Sequence, residues 1–174
     1  MLFTIWLFAC LAGFGVPESA AAETGTLLRV WPASSQITVC EEVQIAVQVD
    51  NVTDLTAYSI VISFDPQLVE ILEVGNGGFL DQGLYEPSNK IDNTAGTIRF
   101  GMAQLEASPK TGSGDLLYIH LKPKKAGQTA SLTIDKPASV LVNWPDALPV
   151  PYETINGTIK MTGCYPLFLP LITR

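Results

Sequence analysis

TAYSIVISFDPQLVEILEV, residues 56–74, is the stretch on which the reading of this chain turns. Tyr58, Ile60, Ile62 and Phe64 fall on one parity and Ala57, Ser59 and Ser63 on the other, with Val61 the exception. Side chains of a strand alternate between its two faces, so this is the pattern of a strand with one face buried. Asp65-Pro66 stops it, because proline has no N–H for the ladder and holds φ fixed. Leu68, Val69, Ile71, Leu72 and Val74 then open a second apolar strand. A strand, an Asp-Pro corner and another strand form the unit from which the rest can be read.

Working outward toward the N-terminus, Glu41 to Asp50 alternates in the same way, with Val43, Ile45, Val47 and Val49 facing a core and Glu42, Gln44, Gln48 and Asp50 facing water. Asp50-Asn51 with Thr53-Asp54 predicts a turn between this strand and the central one. Before it, Leu27 to Trp31 reads as a short first strand ended by Pro32, and Ala33 to Gln36 as a polar turn. Toward the C-terminus, Gly75 to Gly78 is a turn, and Leu84 to Ile91 an irregular edge strand within an otherwise undecided stretch. Gly96-Thr97 begins a strand with Ile98, Phe100 and Met102 on one face and Thr97, Arg99 and Ala103 on the other. A loop from Glu106 to Gly114 leads into Leu116 to Lys122, where Leu117, Ile119 and Leu121 point inward and Tyr118 and His120 outward. Ser131 to Asp135 and Ser139 to Asn143 read as one strand interrupted at Lys136-Pro137, and Glu153 to Thr162 is the last strand. Eight or nine short strands with regular turn signals predict an all-β antiparallel sandwich.

Composition agrees. The 174 residues are 47% hydrophobic and 16% charged, with 14 Gly and 12 Pro, which suits one turn-rich β domain with a sizeable core. A formal charge of −7 argues against nucleic acid, since phosphate binding needs clustered Lys and Arg. The apolar run Leu2 to Val16, then Pro17 and Ala20-Ala21-Ala22, reads as a secretory signal peptide cleaved after Ala22. A transmembrane anchor is the alternative, but the run is shorter than the roughly 20 residues a span requires. Removing residues 1–22 leaves a sandwich over 23–163, a Pro/Leu-rich tail over 164–174, and two cysteines, Cys40 and Cys164. In an exported protein these suggest one disulfide joining the opening of the sandwich to its end, with two free thiols as the alternative.

Little in the chain points to catalysis. His120 is the only histidine and reads as a surface strand residue. The sequence has no His-Glu-x-x-His, Gly-x-Ser-x-Gly, phosphate loop or Cys-x-x-Cys, so no enzymatic activity, cofactor or small-molecule substrate is expected. Glu70 and Glu73 read as the wet face of a strand. Asp50, Asn51, Asp54, Asp81 and Asp92 read as turn chemistry rather than a calcium site, there being no EF-hand loop. Trp31, Trp144, Tyr85, Tyr118 and Tyr152 are candidates for stacking on sugars, but they lie on scattered elements, so direct polysaccharide binding is the rival reading.

The alternating strand followed by Phe-Asp-Pro-x-Leu-Val-Glu-Ile-Leu-Glu-Val resembles the third and fourth strands of cohesin domains, the receptor modules of cellulosomal scaffolds. Glu-Val-x-Ile-x-Val, Gly-Thr-Ile-Arg-Phe, Gly-Asp-Leu-Leu-Tyr-Ile-His-Leu-Lys and the terminal Asn-Gly-Thr-Ile extend the resemblance, in order, across residues 27–162. It implies a nine-stranded jelly-roll sandwich whose first and last strands lie together. It also implies a secreted or cell-surface docking module, linked to polysaccharide degradation, for a dockerin-bearing or other extracellular protein, with any calcium carried by that partner. The implied docking face, built from strands resembling the third, fifth, sixth and eighth, would present Ala57, Ser59, Val61 and Ser63, then Thr97, Arg99 and Ala103, and from the irregular edge Leu84 and Tyr85. Dockerin-binding members often carry Asn and Asp where Ala57 and Ser59 stand, a departure that bears on partner specificity. The tail resembles the Leu-Pro-Leu endings of many exported bacterial proteins; packing on the sandwich edge is the alternative.

Overall fold

A computed structural model describes residues 25–105 and 108–164. The expected signal peptide, its cleavage site and the segment from Tyr165 onward lie outside the described residues. Eleven strands follow in order: β1 (Thr26–Trp31), β2 (Ser34–Thr38), β3 (Val43–Ser63), β4 (Val69–Asn76), β5 (Leu84–Asp92), β6 (Thr97–Gln104), β7 (Lys110–Pro123), β8 (Thr129–Ile134), β9 (Val140–Asn143), β10 (Tyr152–Ile155) and β11 (Gly157–Thr162). A 3₁₀ turn, Lys136–Ala138, separates β8 from β9, where Lys136-Pro137 predicted an interruption.

The chain is an all-β sandwich, and its two layers share one strand. The N-terminal half of β3 pairs with β1 and β7, and the C-terminal half with β6, β9 and the end of β8. The turn expected at Asp50-Asn51 and Thr53-Asp54 is therefore not a reversal. Asn51 and Asp54 do adopt positive φ, 56° and 51°, but register slips at Val47/Gln48, Val49/Val52 and Val52/Leu55 absorb the extra residues as bulges. Bulges bend a strand without ending it, and this bend carries β3 from one layer to the other. The hydroxyls of Ser113 and Thr111 accept the N–H groups of Asn51 and Asp54 at 3.0 and 2.9 Å. They come from the start of β7, so the loop expected from Glu106 to Gly114 is strand from Lys110 onward.

Ala33 to Gln36, expected as a polar turn, is mostly β2. Its residues pair in parallel with β11, Ser34 opposite Thr158 through Thr38 opposite Thr162, while β1 pairs in parallel with β10. First and last strands thus run side by side and change layer together, one after Trp31 and the other at Asn156. One merged strand, two split ones and β2, which stands where a turn was expected, convert the expected nine into eleven.

The core follows the predicted parity. Ile45, Val47, Val49, Tyr58, Ile60, Ile62, Ile98, Phe100, Met102, Leu117, Ile119 and Leu121 are all buried. The Asp-Pro corner closes on itself, with Asp65 Oδ1 accepting the Gln67 N–H at 2.8 Å and the Asp65 carbonyl accepting from Leu68 and Val69. Phe64 N–H donates to the Gly96 carbonyl at 2.8 Å, locking this corner to the β5–β6 turn. Gly96 has φ +71°, and a Cβ there would lie 2.2 Å from the Phe64 carbonyl oxygen, so this turn accepts only glycine.

Cys40 and Cys164 are bonded. Cys40 follows β2, Cys164 follows β11, their Cα atoms are 5.9 Å apart, and the bridge spans 124 residues of sequence. It extends the parallel pair beyond Thr38–Thr162, next to the Val39 N–H bond to the Thr162 carbonyl.

Candidate functional site

Strands β9, β3, β6 and β5 lie side by side, and their registers fix which residues share the outer face. Because residues opposite one another across a ladder point the same way, the face resolves into four rows. Val142, Ala57, Ala103 and Tyr85 form the first, and Val140, Ser59, Gly101 and Ser88 the second. The third contains Val61, Arg99 and Lys90, and the fourth Thr133, Ser63, Thr97 and Asp92. The face therefore grades from apolar, through small, to cationic and then polar.

Eight of the nine residues predicted for this face, Ala57, Ser59, Val61, Ser63, Tyr85, Thr97, Arg99 and Ala103, fall in these rows. Leu84 does not: it pairs with Gln104, which shares the parity of buried Met102 and Phe100, so Leu84 lies on the opposite side of β5 from Tyr85. Val61 has the outward parity but is only 7% exposed. Its N–H donates to Ser139 Oγ at 2.9 Å, and its carbonyl accepts from the Asp135 N–H. Backbone partners at the 3₁₀ turn thus hold Val61 as floor rather than rim. Tyr85 is 56% exposed and Arg99 is exposed.

Gly101, Ser88, Lys90, Val140 and Val142 were not singled out from sequence. Alternation through Thr97, Arg99 and Ala103 was enough to place Gly101 on the face. Lys90 required the register, because β5 carries one extra residue between Tyr85 and Ser88. That bulge brings Pro87 over Gly101, whose added Cβ would sit 3.5 Å from Pro87 Cγ and 3.3 Å from the Tyr58 carbonyl oxygen. Glycine here keeps the middle of the face flat.

The layer beneath is firm. Tyr58 donates its hydroxyl to the buried Leu116 carbonyl, and burial, then the Glu86 carboxylate, hold that hydroxyl far above the ordinary tyrosine range, so it remains a donor. At the polar end, Asp92 Oδ1 accepts the N–H groups of Thr94 and Ala95 at 2.9 and 2.8 Å. The Ala95 bond first, then the Thr94 bond, lower its pKa below the ordinary 3.8. A carboxylate depressed in the folded state supports that turn above its unfolded pKa, and the support is lost as pH falls through the folded value. An NMR titration of the Asp92 carboxyl is expected to show a midpoint under 3.8; a midpoint at or above it would mean that the turn is not held by the charged form.

The other candidate groups are occupied. His120 Nε2 lies 3.3 Å from Glu42, Glu73 accepts the Tyr118 hydroxyl at 2.8 Å, and Glu70 faces Lys124 at 3.9 Å. Asp50 pairs with Arg29 at 3.0 Å, Asp54 accepts from Thr111, and Asp81 pairs with Lys110 at 2.8 Å. Among the described residues no cluster of three acidic, His or Cys side chains could hold a metal. Of the aromatics, Trp31 at the end of β1 has the Arg29 guanidinium 4.6 Å above its ring, Tyr152 donates to the Ser139 carbonyl, and exposed Trp144 follows β9. Only Tyr85 belongs to the four rows.

A family model described as Cohesin domain matches residues 32–161. The seventh ScaB type I cohesin from Pseudobacteroides cellulosolvens superposes with TM-score 0.68 at 16% identity, over 83% of this chain and 97% of that one. The third cohesin ScaC from Acetivibrio cellulolyticus, solved in complex with the ScaB dockerin, gives 0.67 at 16% identity, over 79% and 99%. A non-cellulosomal cohesin from the archaeon Archaeoglobus fulgidus gives 0.64 at 19% identity, over 79% and 91%. At such identities the structural likeness speaks for the fold. No curated protein matches the sequence.

Proposed function

Because this chain belongs to the cohesin domain family, we propose that it is a non-catalytic docking module that binds a dockerin-type protein outside the cell. The observation that carries this reading is the four-row face on β9, β3, β6 and β5, flat at its centre and exposed at Tyr85, Lys90 and Arg99. A rigid sheet face with small central side chains lets a helix approach closely, and the mixed apolar and charged rows give it both contact area and register.

Four strands about 4.8 Å apart and four rows along them present only about 300 Å². A standard interface covers about 800 Å² per partner, so the loops bounding the face must contribute as well. Leu105, Leu148 and Trp144, all more than half exposed, are available next to the apolar row: Trp144 N–H bonds the Asp54 carbonyl, Leu148 N–H bonds Asn143, and Leu105 follows β6. Export is part of the same proposal, supported by the signal-like segment before Glu23 and by the disulfide, a bond that lasts in oxidising compartments.

The test is binding of the full chain to dockerin-bearing proteins secreted by its own organism, with and without calcium, beside sedimentation on insoluble polysaccharide. A dockerin-bearing protein is expected to bind, and Ser59→Trp, which plants a bulky ring in the flat row, is expected to weaken it at least tenfold while the circular dichroism stays unchanged. Sedimentation with polysaccharide and no bound dockerin protein would overturn the docking reading.

A further inference from the structure

Lys90 and Arg99 stand directly opposite one another across β5 and β6. Among the described residues theirs is the one cross-strand register pair of like charge. Like charges so placed repel and weaken the ladder. A carboxylate of the same chain could relieve the repulsion, as one lies within 4.0 Å of Arg29, Lys110, Lys124 and Lys136; among the described residues Lys122, Lys125 and Lys160 reach none within that distance, but none of them faces another cation in the register. No carboxylate lies within that distance of Lys90 or Arg99 among the described residues. On the face itself Asp92 Oδ1 accepts the Thr94 and Ala95 N–H groups, and Asp135, whose N–H bonds the Val61 carbonyl, accepts the Ala138 N–H. In a protein with 17 acidic and 10 basic side chains, this leaves two adjacent, exposed cations on the four-row face.

We infer that the partner of this face is acidic at one defined place: it seats an Asp or Glu side chain on the Lys90–Arg99 row while an apolar side chain meets the Ala57–Ala103–Tyr85 row. This rests on docking at the face and adds the chemistry of the partner. The two rows are four residues apart along β3, about 13 Å. A helix lying along the strands rises 1.5 Å per residue, so the distance corresponds to about nine residues, and the nearest spacings that keep its apolar and acidic residues on one side are seven or eight. Arg99 offers a planar fork of donors that a carboxylate can meet in two bonds, and Lys90 adds a mobile point charge beside it.

The test uses a displayed library built on a dockerin scaffold, randomised at its exposed helix positions and selected against the full chain. Expected is enrichment of Asp and Glu at one position, seven or eight residues from an enriched apolar position. The selected binders should lose at least tenfold in affinity on Arg99→Glu, regain part of it when their own acidic residue is changed to Lys, and weaken severalfold between 50 and 300 mM salt, as screening requires. Binders blocked by Ser59→Trp but indifferent to Arg99→Glu and Lys90→Glu would overturn the acidic partner and leave docking standing. Failure to select any binder blocked by Ser59→Trp would overturn both.

Discussion

Removing the Cys40–Cys164 bridge, by the double substitution Cys40→Ala with Cys164→Ala or by reduction, is expected to lower the unfolding free energy by about 4–5 kcal/mol. The bond closes a loop with a sequence separation of 124 residues, nearly the whole described chain, so in a chain-entropy account its absence frees almost the entire unfolded ensemble. It also ties together β2 and β11, a parallel pair in which β2 has no second neighbour among the described residues. With a urea slope of about 2 kcal/mol per molar, the unfolding midpoint should fall by about 2 M. Hydrogen exchange is expected to speed up first along Ser34–Thr38. A loss under about 1 kcal/mol would show that pairing of β2 with β11 alone holds the two ends of the chain together, and that the bridge adds little to it.

Phe100→Ala is expected to cost about 3–5 kcal/mol, the range for deleting a large buried aromatic side chain. Phe100 is fully buried, its ring lies 6.2 Å from that of Tyr58, and it sits on β6 between Arg99 and Gly101, so it supports the candidate face from beneath. Phe100→Leu, which keeps most of the volume, should cost less, and Arg99→Ala, with an exposed side chain on the other side of the same strand, should stay within about 0.5 kcal/mol. Denaturant unfolding of the three variants checks this order. Stability and the proposed docking then separate along a single strand: alternate residues of β6 belong to the core and to the candidate face, and substitutions at odd and even positions should affect different assays. Equal destabilisation by Arg99→Ala and Phe100→Ala would contradict the assigned parity.

The strand pattern was legible because burial imposes a period of two. Tyr58, Ile60, Ile62 and Phe64 are all in the core, and Ile98, Phe100 and Met102 follow the same rule. Val61, the one residue that broke the alternation, has the outward parity and is nonetheless buried, so its hydrophobicity was a true signal of burial but not of which face it occupied. The turn at Asp50-Asn51 misled because Asn and Asp favour positive φ at bulges as readily as in reversals. What separates the two outcomes is the partner strand, and Thr111 and Ser113, which accept the bulged N–H groups, lie 57 and 62 residues away.

The site was legible strand by strand and not across strands. Ala57, Ser59, Ser63, Thr97 and Arg99 could be assigned to an outward face from their own segments, because each segment alternates. Leu84 was placed on the same face as its neighbour Tyr85, which alternation itself excludes, and Lys90 was overlooked, since one extra residue between Tyr85 and Ser88 reverses the parity beyond it and only pairing with β6 reveals where it is inserted. By itself, then, the sequence determined the all-β class, the core parity of each regular strand and the Asp-Pro corner, and it pointed to Cys40 and Cys164 as a candidate pair. The tertiary structure alone decided that β3 crosses both layers, that the first and last strands run in parallel, and that Lys90 meets Arg99. Alternation is a local consequence of strand geometry, whereas register and layer exchange depend on hydrogen bonds between residues far apart in the chain, which no local pattern records.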